Sequence, residues 1–161
     1  MTGELQTIQS LFFGDLRGGE TFTSPSRTVT EADLTFFSMI SGDWSPIHSD
    51  AIYAESSQYE QRILHGPMGL ALVLGLFSRM PEFQASSIAM LDINNWRFVA
   101  PIFVGDTLHL GMTVGNLRLT SRGDRGIVER RMELRKQDGS VAQSGSMGLM
   151  LACRRVAQEA L

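Results

Sequence analysis

The sequence predicts an α+β domain in which one long apolar helix lies in the concave face of a curled antiparallel sheet. Residues 68–77 read Met-Gly-Leu-Ala-Leu-Val-Leu-Gly-Leu-Phe, so a helix there is apolar on all sides, which indicates burial. Residues 107–151 instead alternate apolar with polar side chains over long runs, a period typical of half-buried strands. Of these elements, the sheet is the one large enough to cover the helix, so we expect it to wrap around it.

Length and composition limit the classes of protein to which this chain can belong. The chain has 161 residues, a length that suits one domain, and 43% of them are hydrophobic, enough for a sizeable core. The formal net charge of -3 gives no electrostatic footprint for nucleic acid or for an anionic membrane, so neither partner is expected. Residues 1–10 lack the basic start and the apolar run of a signal peptide, and a single cysteine, Cys153, permits no intramolecular disulfide. A cytoplasmic protein is therefore expected.

The first elements are predicted to be a strand and a capped helix. Residues 20–29 read as the strand. Thr30 with a carboxylate three positions later, at Asp33, has the spacing of a capping box and should start a helix. That helix should run to about Ser41, because Gly42 supplies the residue type with which helices commonly end.

Prolines set the boundaries of the next elements. Pro46 forbids continuation of the first helix, and a short helix is expected over residues 49–57. Pro67 suits the first position of the central helix, because the N–H that proline lacks has no partner there in any case. A further strand is expected over residues 87–99, ended by Pro101.

Short turns join the strands of the second half. Asp138-Gly139 is a hairpin signal, and the glycines within residues 121–126 make another turn.

A long apolar helix wrapped by a curled antiparallel sheet is the layout called the hotdog fold. One such sheet leaves its edges exposed, and exposed edges usually pair with a second copy. A homodimer, or a larger assembly, is therefore expected.

Arginines gather on the strands of the second half and alternate with glutamates. This pattern predicts a solvated face of the sheet. The alternative is a mouth for a phosphorylated ligand such as coenzyme A. The arginines are Arg118, Arg122, Arg125, Arg130 and Arg131, and the glutamates are Glu129 and Glu133.

An aspartate and a histidine, Asp43 and His48, stand five positions apart in the segment directly after the first predicted helix. In a purely structural interpretation, Asp43 satisfies turn amides and His48 caps the next short helix. Together on a rigid turn, however, the two residue types suit acid–base chemistry. A histidine can take a proton at neutral pH, and a carboxylate can orient the same water or stabilise the imidazolium.

The segment His65-Gly66-Pro67 marks the start of the central helix. Free amides at such a start carry partial positive charge and can hold a developing oxyanion. Because Pro67 has no N–H, the available donors are Gly66, Met68 and Gly69. The structural alternative is that Gly66 merely permits tight packing.

Other sites are not expected from the sequence. Three histidines and one cysteine show no metal-ligand spacing, so no metal is predicted. No glycine-rich phosphate loop of the dinucleotide or P-loop type occurs. Residues 96–98 and 101–106 read as a strand followed by a proline-bounded turn, with a contribution to a pocket wall as the other interpretation.

These motifs together resemble a known family. The segment Phe37-Ser38-Met39-Ile40-Ser41-Gly42-Asp43-Trp44-Ser45-Pro46-Ile47-His48 is similar to the signature of MaoC-like dehydratases, the (R)-specific enoyl-CoA hydratases or hydratase 2 family. Their usual pattern is Gly-Asp-x-Asn-Pro-aliphatic-His. The helix start at His65-Gly66 and the turn over residues 101–106 follow in the family's order. The resemblance covers roughly residues 20–152, leaving residues 1–19 as an N-terminal extension and 153–161 as a C-terminal tail.

The resemblance implies a fold and an activity. Members of the family have the hotdog fold, commonly form dimers, and reversibly add water to a trans-2-enoyl thioester, giving a (3R)-3-hydroxyacyl thioester. It implies that Asp43 and His48 hold and activate the water, on a turn supported by Ser45 and Pro46. The amide of Gly66 would polarise the thioester carbonyl. It implies no metal or redox cofactor, because coenzyme A or phosphopantetheine comes with the substrate.

Two positions depart from the family's pattern and leave other functions open. Ser45 stands where the family usually has Asn, and Ala71 stands where many hydratases have Ser. One alternative is a hotdog acyl-CoA thioesterase, which directs water at the carbonyl. Another is a non-catalytic subunit that binds acyl thioesters.

Overall fold

The computed structural model describes residues 9–154. The outer parts of the predicted extension and tail, residues 1–8 and 155–161, lie outside the described residues. A 3₁₀ turn at Phe13–Asp15 precedes the regular elements. In chain order these are β1 (Thr21–Thr23), β2 (Arg27–Thr28), α1 (Glu31–Ser41), α2 (Pro46–Ser49), α3 (Ala51–Glu55), α4 (Gly66–Ser78), α5 (Pro81–Gln84), β3 (Ser87–Phe98), β4 (Thr107–Leu119), β5 (Arg125–Arg135) and β6 (Val141–Ala152). Within residues 9–154, every helix is too short or too polar to cross a bilayer.

The strands form one antiparallel sheet in the order β1-β4-β5-β6-β3, with β2 also paired to β4. The predicted meander is confirmed as β4, β5 and β6, which pair in sequence. Gly123 and Gly139, at φ angles of +70° and +83°, occupy the two turns that join them. β3 lies beside β6 at the opposite edge from β1, and both of its faces are exposed along most of its length.

The predicted first strand is broken into β1 and β2. At the break, the Ser24 N–H donates to the Leu110 carbonyl at 2.9 Å, and the Ser24 hydroxyl accepts from the Leu110 N–H at 2.9 Å. The side chain thus replaces one rung of the backbone ladder. Pro25 follows directly and has no N–H to continue that ladder, which accounts for the interruption.

Helix α1 has the predicted limits because both of its ends are set locally. Asp33 accepts from the Thr30 N–H at 2.8 Å, which completes the capping box, and it also binds Arg27 of β2. Burial alone would raise the pKa of Asp33, but these hydrogen bonds lower it below its usual value. Gly42 ends the helix in the left-handed conformation, with φ at +74°.

The segment after α1 contains two short helices, where the sequence predicts a turn and one short helix over residues 49–57. Residues Pro46–Ser49 form the single-turn helix α2, and a second short helix, α3, follows at Ala51–Glu55. Pro46 does stop α1, as predicted. It also begins the next helix, because proline fixes φ at a helical value and its missing N–H is not needed in a first turn.

The central helix α4 begins one residue before Pro67 and packs its inner side on the sheet. Its buried residues, Gly69, Leu72, Val73 and Leu76, share a core with the inward side chains of β4, β5 and β6. Its other side, formed by Ala71, Leu74, Gly75 and Ser78, remains exposed. The predicted burial on every side is therefore not reached within a single chain.

Arg130 is not on a solvated face, contrary to the sequence prediction. Its position on β5 alternates in phase with Val128 and Met132, so its side chain enters the core and is 2% exposed. The guanidinium lies 4.5 Å from the centre of the Phe77 ring of α4. Burial lowers the pKa of Arg130 to about 10, against a smaller opposing effect of Asp92, and the group stays charged at neutral pH. The neighbouring Arg131 does lie outside, paired with Glu133 at 2.9 Å.

A buried ion pair fixes the turn between β3 and β4. Asp106 binds Lys136 at 2.7 Å, and the side chains are 9% and 11% exposed. The carboxylate also accepts from the Phe103 N–H at 2.9 Å and from Gln137 at 3.0 Å. Burial would raise the pKa of Asp106, but these partners, with Lys136 foremost, lower it below the ordinary 3.8. The ion pair thus ties residues 101–106 to the turn between β5 and β6.

We expect Asp106→Asn to lower the free energy of unfolding at pH 7 by about 3 kcal/mol, because it leaves Lys136 buried without a counter-charge. In the wild type, the lowered pKa means that the stabilisation is complete above about pH 4 and is lost as the pH falls through the folded-state value. Urea unfolding between pH 7 and pH 3 should therefore show a weaker acid dependence in the variant. Equal acid dependence in both proteins would contradict this role.

Candidate active site

The two carboxylate oxygens of Asp43 face different partners. Oδ1 accepts from the Ser45 N–H at 3.0 Å, which closes a turn of the kind that aspartate favours. Oδ2 lies 3.9 Å from Nε2 of His48, and the Asp43 side chain is 50% exposed. The structural and the functional interpretations of Asp43 are thus compatible.

His48 lies on α2 with its ring orientation and tautomer fixed. Its Nδ1 lies 2.8 Å from the Ile63 carbonyl oxygen. A carbonyl can only accept, so Nδ1 must carry the proton, and neutral His48 has its free lone pair on Nε2. This is the nitrogen that faces Asp43. The structure therefore brings together the two residues that the sequence paired, with Nε2 of His48 facing Oδ2 of Asp43.

The turn between the pair is held by main-chain atoms. The Ser45 carbonyl accepts from the N–H groups of His48 and Ser49 at 2.9 and 3.2 Å, and Pro46 occupies the first position of α2. No hydrogen bond of the Ser45 hydroxyl is found within residues 9–154. Ser45 and Pro46 therefore shape the turn through their backbone.

His65 is the site residue that sequence reasoning missed, because it was considered only as part of a helix start. The residue is 1% exposed, and its ring stacks on that of His48 with 3.8 Å between the ring centres. Its Nε2 lies 3.0 Å from the Asp43 carbonyl oxygen and 3.3 Å from the Ser38 hydroxyl. Burial lowers the pKa of His65, outweighing the hydrogen bond to Asp43 that raises it, so the ring is neutral at pH 7.

The N-terminus of α4 is anchored to the sheet by Gln143 of β6. Gln143 donates to the Gly66 carbonyl at 3.0 Å and accepts from the Trp96 ring N–H at 3.1 Å. Its amide fills the space beside Gly69, where a Cβ atom would lie 2.1 Å from the Gln143 nitrogen. Gly69 is therefore required for packing.

The three predicted amide donors differ in availability. The N–H groups of Met68 and Gly69 donate to the His65 carbonyl at 3.0 and 3.3 Å. Within residues 9–154, the structure gives the Gly66 N–H no acceptor. Of the three, Gly66 is the amide left free to bind an oxyanion.

A cavity of about 250 Å³ lies beside His48 and the start of α4. It is lined by His48 and Gly66, with Tyr59, Phe98 and Gln143 on its walls. Ala100, Pro101 and Ile102 also contribute, so the turn before β4 forms part of the wall as well as a connection. The base nitrogen and the free amide thus belong to residues of one cavity.

Asp43, His48 and His65 offer ligand atoms that lie within 4.8 Å of one another, as a metal site requires. Ring stacking works against such a site. Only 26° separates the two ring planes, so the nitrogen lone pairs lie in two stacked, nearly parallel planes, which is a poor geometry for pointing both at one ion. The donor set suits acid–base chemistry better, and the absence of a metal stays a prediction.

Known proteins are similar to this chain in sequence and in fold. The family model described as the MaoC like domain matches residues 14–134. Protein MaoC of Klebsiella aerogenes is 33% identical over 102 residues, which are 63% of this chain and 30% of that protein. The (R)-specific enoyl-CoA hydratase of Rhodospirillum rubrum is 30% identical over 109 residues, 66% of this chain and 71% of that protein. The chain therefore spans less than a third of the first relative and most of the second.

A solved structure supports the fold. A Mycobacterium tuberculosis protein described as having a double hotdog fold superposes with a TM-score of 0.77. It is 21% identical, and the match covers 94% of this chain and 47% of that one. At this identity the likeness shows the fold alone. The predicted α+β hotdog fold is confirmed.

We expect Gly69→Ala to destabilise the protein by about 1–3 kcal/mol, because its methyl group displaces Gln143 from Gly66. Gly14→Ala is the control, since no atom lies within 4 Å of a Cβ there and the residue is exposed. This change should leave the free energy of unfolding within about 0.5 kcal/mol of the wild type. Urea unfolding of both variants checks the difference, and equal effects would contradict the packing role of Gly69.

Proposed function

The chain belongs to the MaoC-like dehydratase family, and we propose that it reversibly hydrates a trans-2-enoyl thioester to a (3R)-3-hydroxyacyl thioester. The observation that carries the proposal is the His48 Nε2 lone pair, facing Asp43 Oδ2 at 3.9 Å beside the cavity that Gly66 also lines. The relatives named as enoyl-CoA hydratases support the same reaction class. The acyl group would be carried as a thioester of coenzyme A or of phosphopantetheine, with no other cofactor.

Asp43 and His48 are proposed to hold one water by accepting a hydrogen bond each. The distance of 3.9 Å is too long for a direct hydrogen bond, so a water beside the two atoms can donate to both. His48 Nε2 takes a proton as the water oxygen bonds to C3 of the enoyl group. C2 then receives a proton from the pair, so that one water is added in total.

Gly66 is proposed to stabilise the enolate that forms during this addition. As C3 is attacked, negative charge moves to the thioester oxygen. A free main-chain N–H at a helix N-terminus offers both a hydrogen bond and the positive end of the helix dipole to that oxygen. Gln143 supports this by holding the Gly66 carbonyl, which keeps the residue in place.

Hydration of enoyl-CoA by the wild type, Asp43→Asn and His48→Ala tests this mechanism. Each change should lower kcat by about 10²–10⁴-fold, because each removes a positioned acid–base group. His109→Ala, a histidine on β4, is the control and should keep full activity. Full activity in both site variants would refute the assigned roles.

The same assay separates the alternatives. A thioesterase would release free thiol from acyl-CoA without hydrating the double bond. A non-catalytic subunit would bind enoyl-CoA of several chain lengths and convert none.

The cytoplasmic location, supported by the lone cysteine, stays a prediction.

A homodimer is proposed from two uncovered surfaces. Edge strand β3 exposes the apolar side chains of Ile88, Met90, Leu91 and Ile93, each at least 37% accessible. The outer side of α4 is exposed as well, although a helix of this composition is expected to be buried. Pairing of β3 with a second copy would satisfy its free edge, as in other sheets whose edges meet across a two-fold axis.

Light scattering should give twice the chain mass for the wild type. Ile93→Asp places a charge in the proposed interface and should shift the mass towards the monomer. Leu119→Asp is the control, because Leu119 is 52% exposed on β4, away from β3. A wild type that is monomeric at micromolar concentration would contradict the homodimer.

A further inference from the structure

The ring of His65 touches both members of the proposed catalytic pair. Its Nε2 bonds the Asp43 main chain at 3.0 Å, and its face stacks on the His48 ring with 3.8 Å between centres. Its other neighbours are Ser38 of α1, at 3.3 Å, and the ring of Phe37, 5.0 Å between centres. One side chain at the start of α4 therefore contacts the end of α1, the turn and α2.

The tautomer of His65 follows from these contacts. The Asp43 carbonyl can only accept a hydrogen bond, so Nε2 must carry the proton. The Ser38 hydroxyl oxygen is a second acceptor for the same N–H. The other ring nitrogen, Nδ1, is buried without a hydrogen-bond partner among the described residues. A proton on Nδ1 instead would bury an unsatisfied donor and place the Nε2 lone pair against the carbonyl oxygen, and both effects are unfavourable.

The stacking has a consequence for His48. A ring packed face to face fixes the plane of its neighbour, and the Nε2 lone pair lies in that plane. Because burial lowers the pKa of His65, the stacked ring carries no charge at neutral pH and does not repel a proton arriving on His48. Asp43, on the turn, is the carboxylate that acts on this stack, and Tyr59 lines the same cavity as His48.

We propose that His65 is a positioning residue for the hydration reaction: Nε2–H holds the Asp43 main chain, and the stacked ring aims Nε2 of His48 at the water. This inference rests on the proposed function. A purely structural role, as the residue before α4, would explain burial but requires neither contact with the pair.

Two substitutions separate the two contacts. His65→Gln keeps an N–H donor within reach of the Asp43 carbonyl but loses the stacked ring. His65→Phe keeps a flat ring against His48 but loses the donor. Each should lower kcat while KM stays close to the wild type, because substrate contacts are untouched. We expect a loss on the order of 10²-fold for His65→Phe, where the turn can shift by about an ångström, and a smaller loss for His65→Gln.

Steady-state kinetics of the wild type and both variants, with melting curves to confirm folding, test the proposal. An active wild type with unchanged kcat in either folded variant would overturn it, as would a rise in KM with kcat unchanged. An inert wild type would refute the proposed function instead, which keeps the two failures distinguishable.

A measurement on the wild type alone keeps the proposal testable should both variants unfold. Nitrogen chemical shifts of the histidine side chains at pH 7 should show His65 as a neutral ring protonated on Nε2. A His65 ring protonated on Nδ1, or on both nitrogens, would overturn the proposal.

Discussion

The packing of the first turn of α4 against β6 is the constraint on which the candidate site depends. Gln143 occupies the space that a side chain at Gly69 would need, and from there it holds the Gly66 carbonyl. The Trp96 N–H fixes the other end of the same amide. These contacts fix the position of the helix start relative to the sheet. In that position, His65 contacts the Asp43 carbonyl of the turn, and Gly66 lines the cavity.

The turn that carries Asp43 is fixed from three directions, which suits a group that must hold one water. The Gly42 C-cap ends α1, the Oδ1 oxygen closes the turn, and the His65 ring holds the Asp43 carbonyl. Only Oδ2 remains for chemistry, and it faces Nε2 of His48, the ring nitrogen that does not bond the Ile63 carbonyl. Main-chain and side-chain contacts thus preorganise the pair before substrate arrives, which is how positioned groups lower a barrier.

Local rules predicted much of the fold, and their failures have identifiable causes. The capping box at Thr30, the stop at Gly42 and the two hairpins depend on neighbouring residues, so the sequence shows them. For Arg130, its charge suggests a solvated face, whereas the alternation of side chains along β5 places it inside with Val128 and Met132. The prediction followed the charge and was wrong. The role of His65 depends on contacts 22 and 27 residues away in the chain, with Asp43 and Ser38, and no local pattern contains these. The pairing of Asp43 with His48 was visible because the two share one turn.

The two departures from the family's pattern affect the site less than their positions suggest. Ser45 holds the turn through its N–H and carbonyl groups, which every residue except proline supplies, so a serine in place of Asn leaves the backbone of the turn intact. Ala71 lies on the exposed side of α4, where a missing hydroxyl leaves no buried polar group without a partner. The groups that the proposed chemistry requires, Asp43 Oδ2, His48 Nε2 and the Gly66 N–H, depend on neither side chain. A catalytic function therefore fits this chain better than a purely binding one.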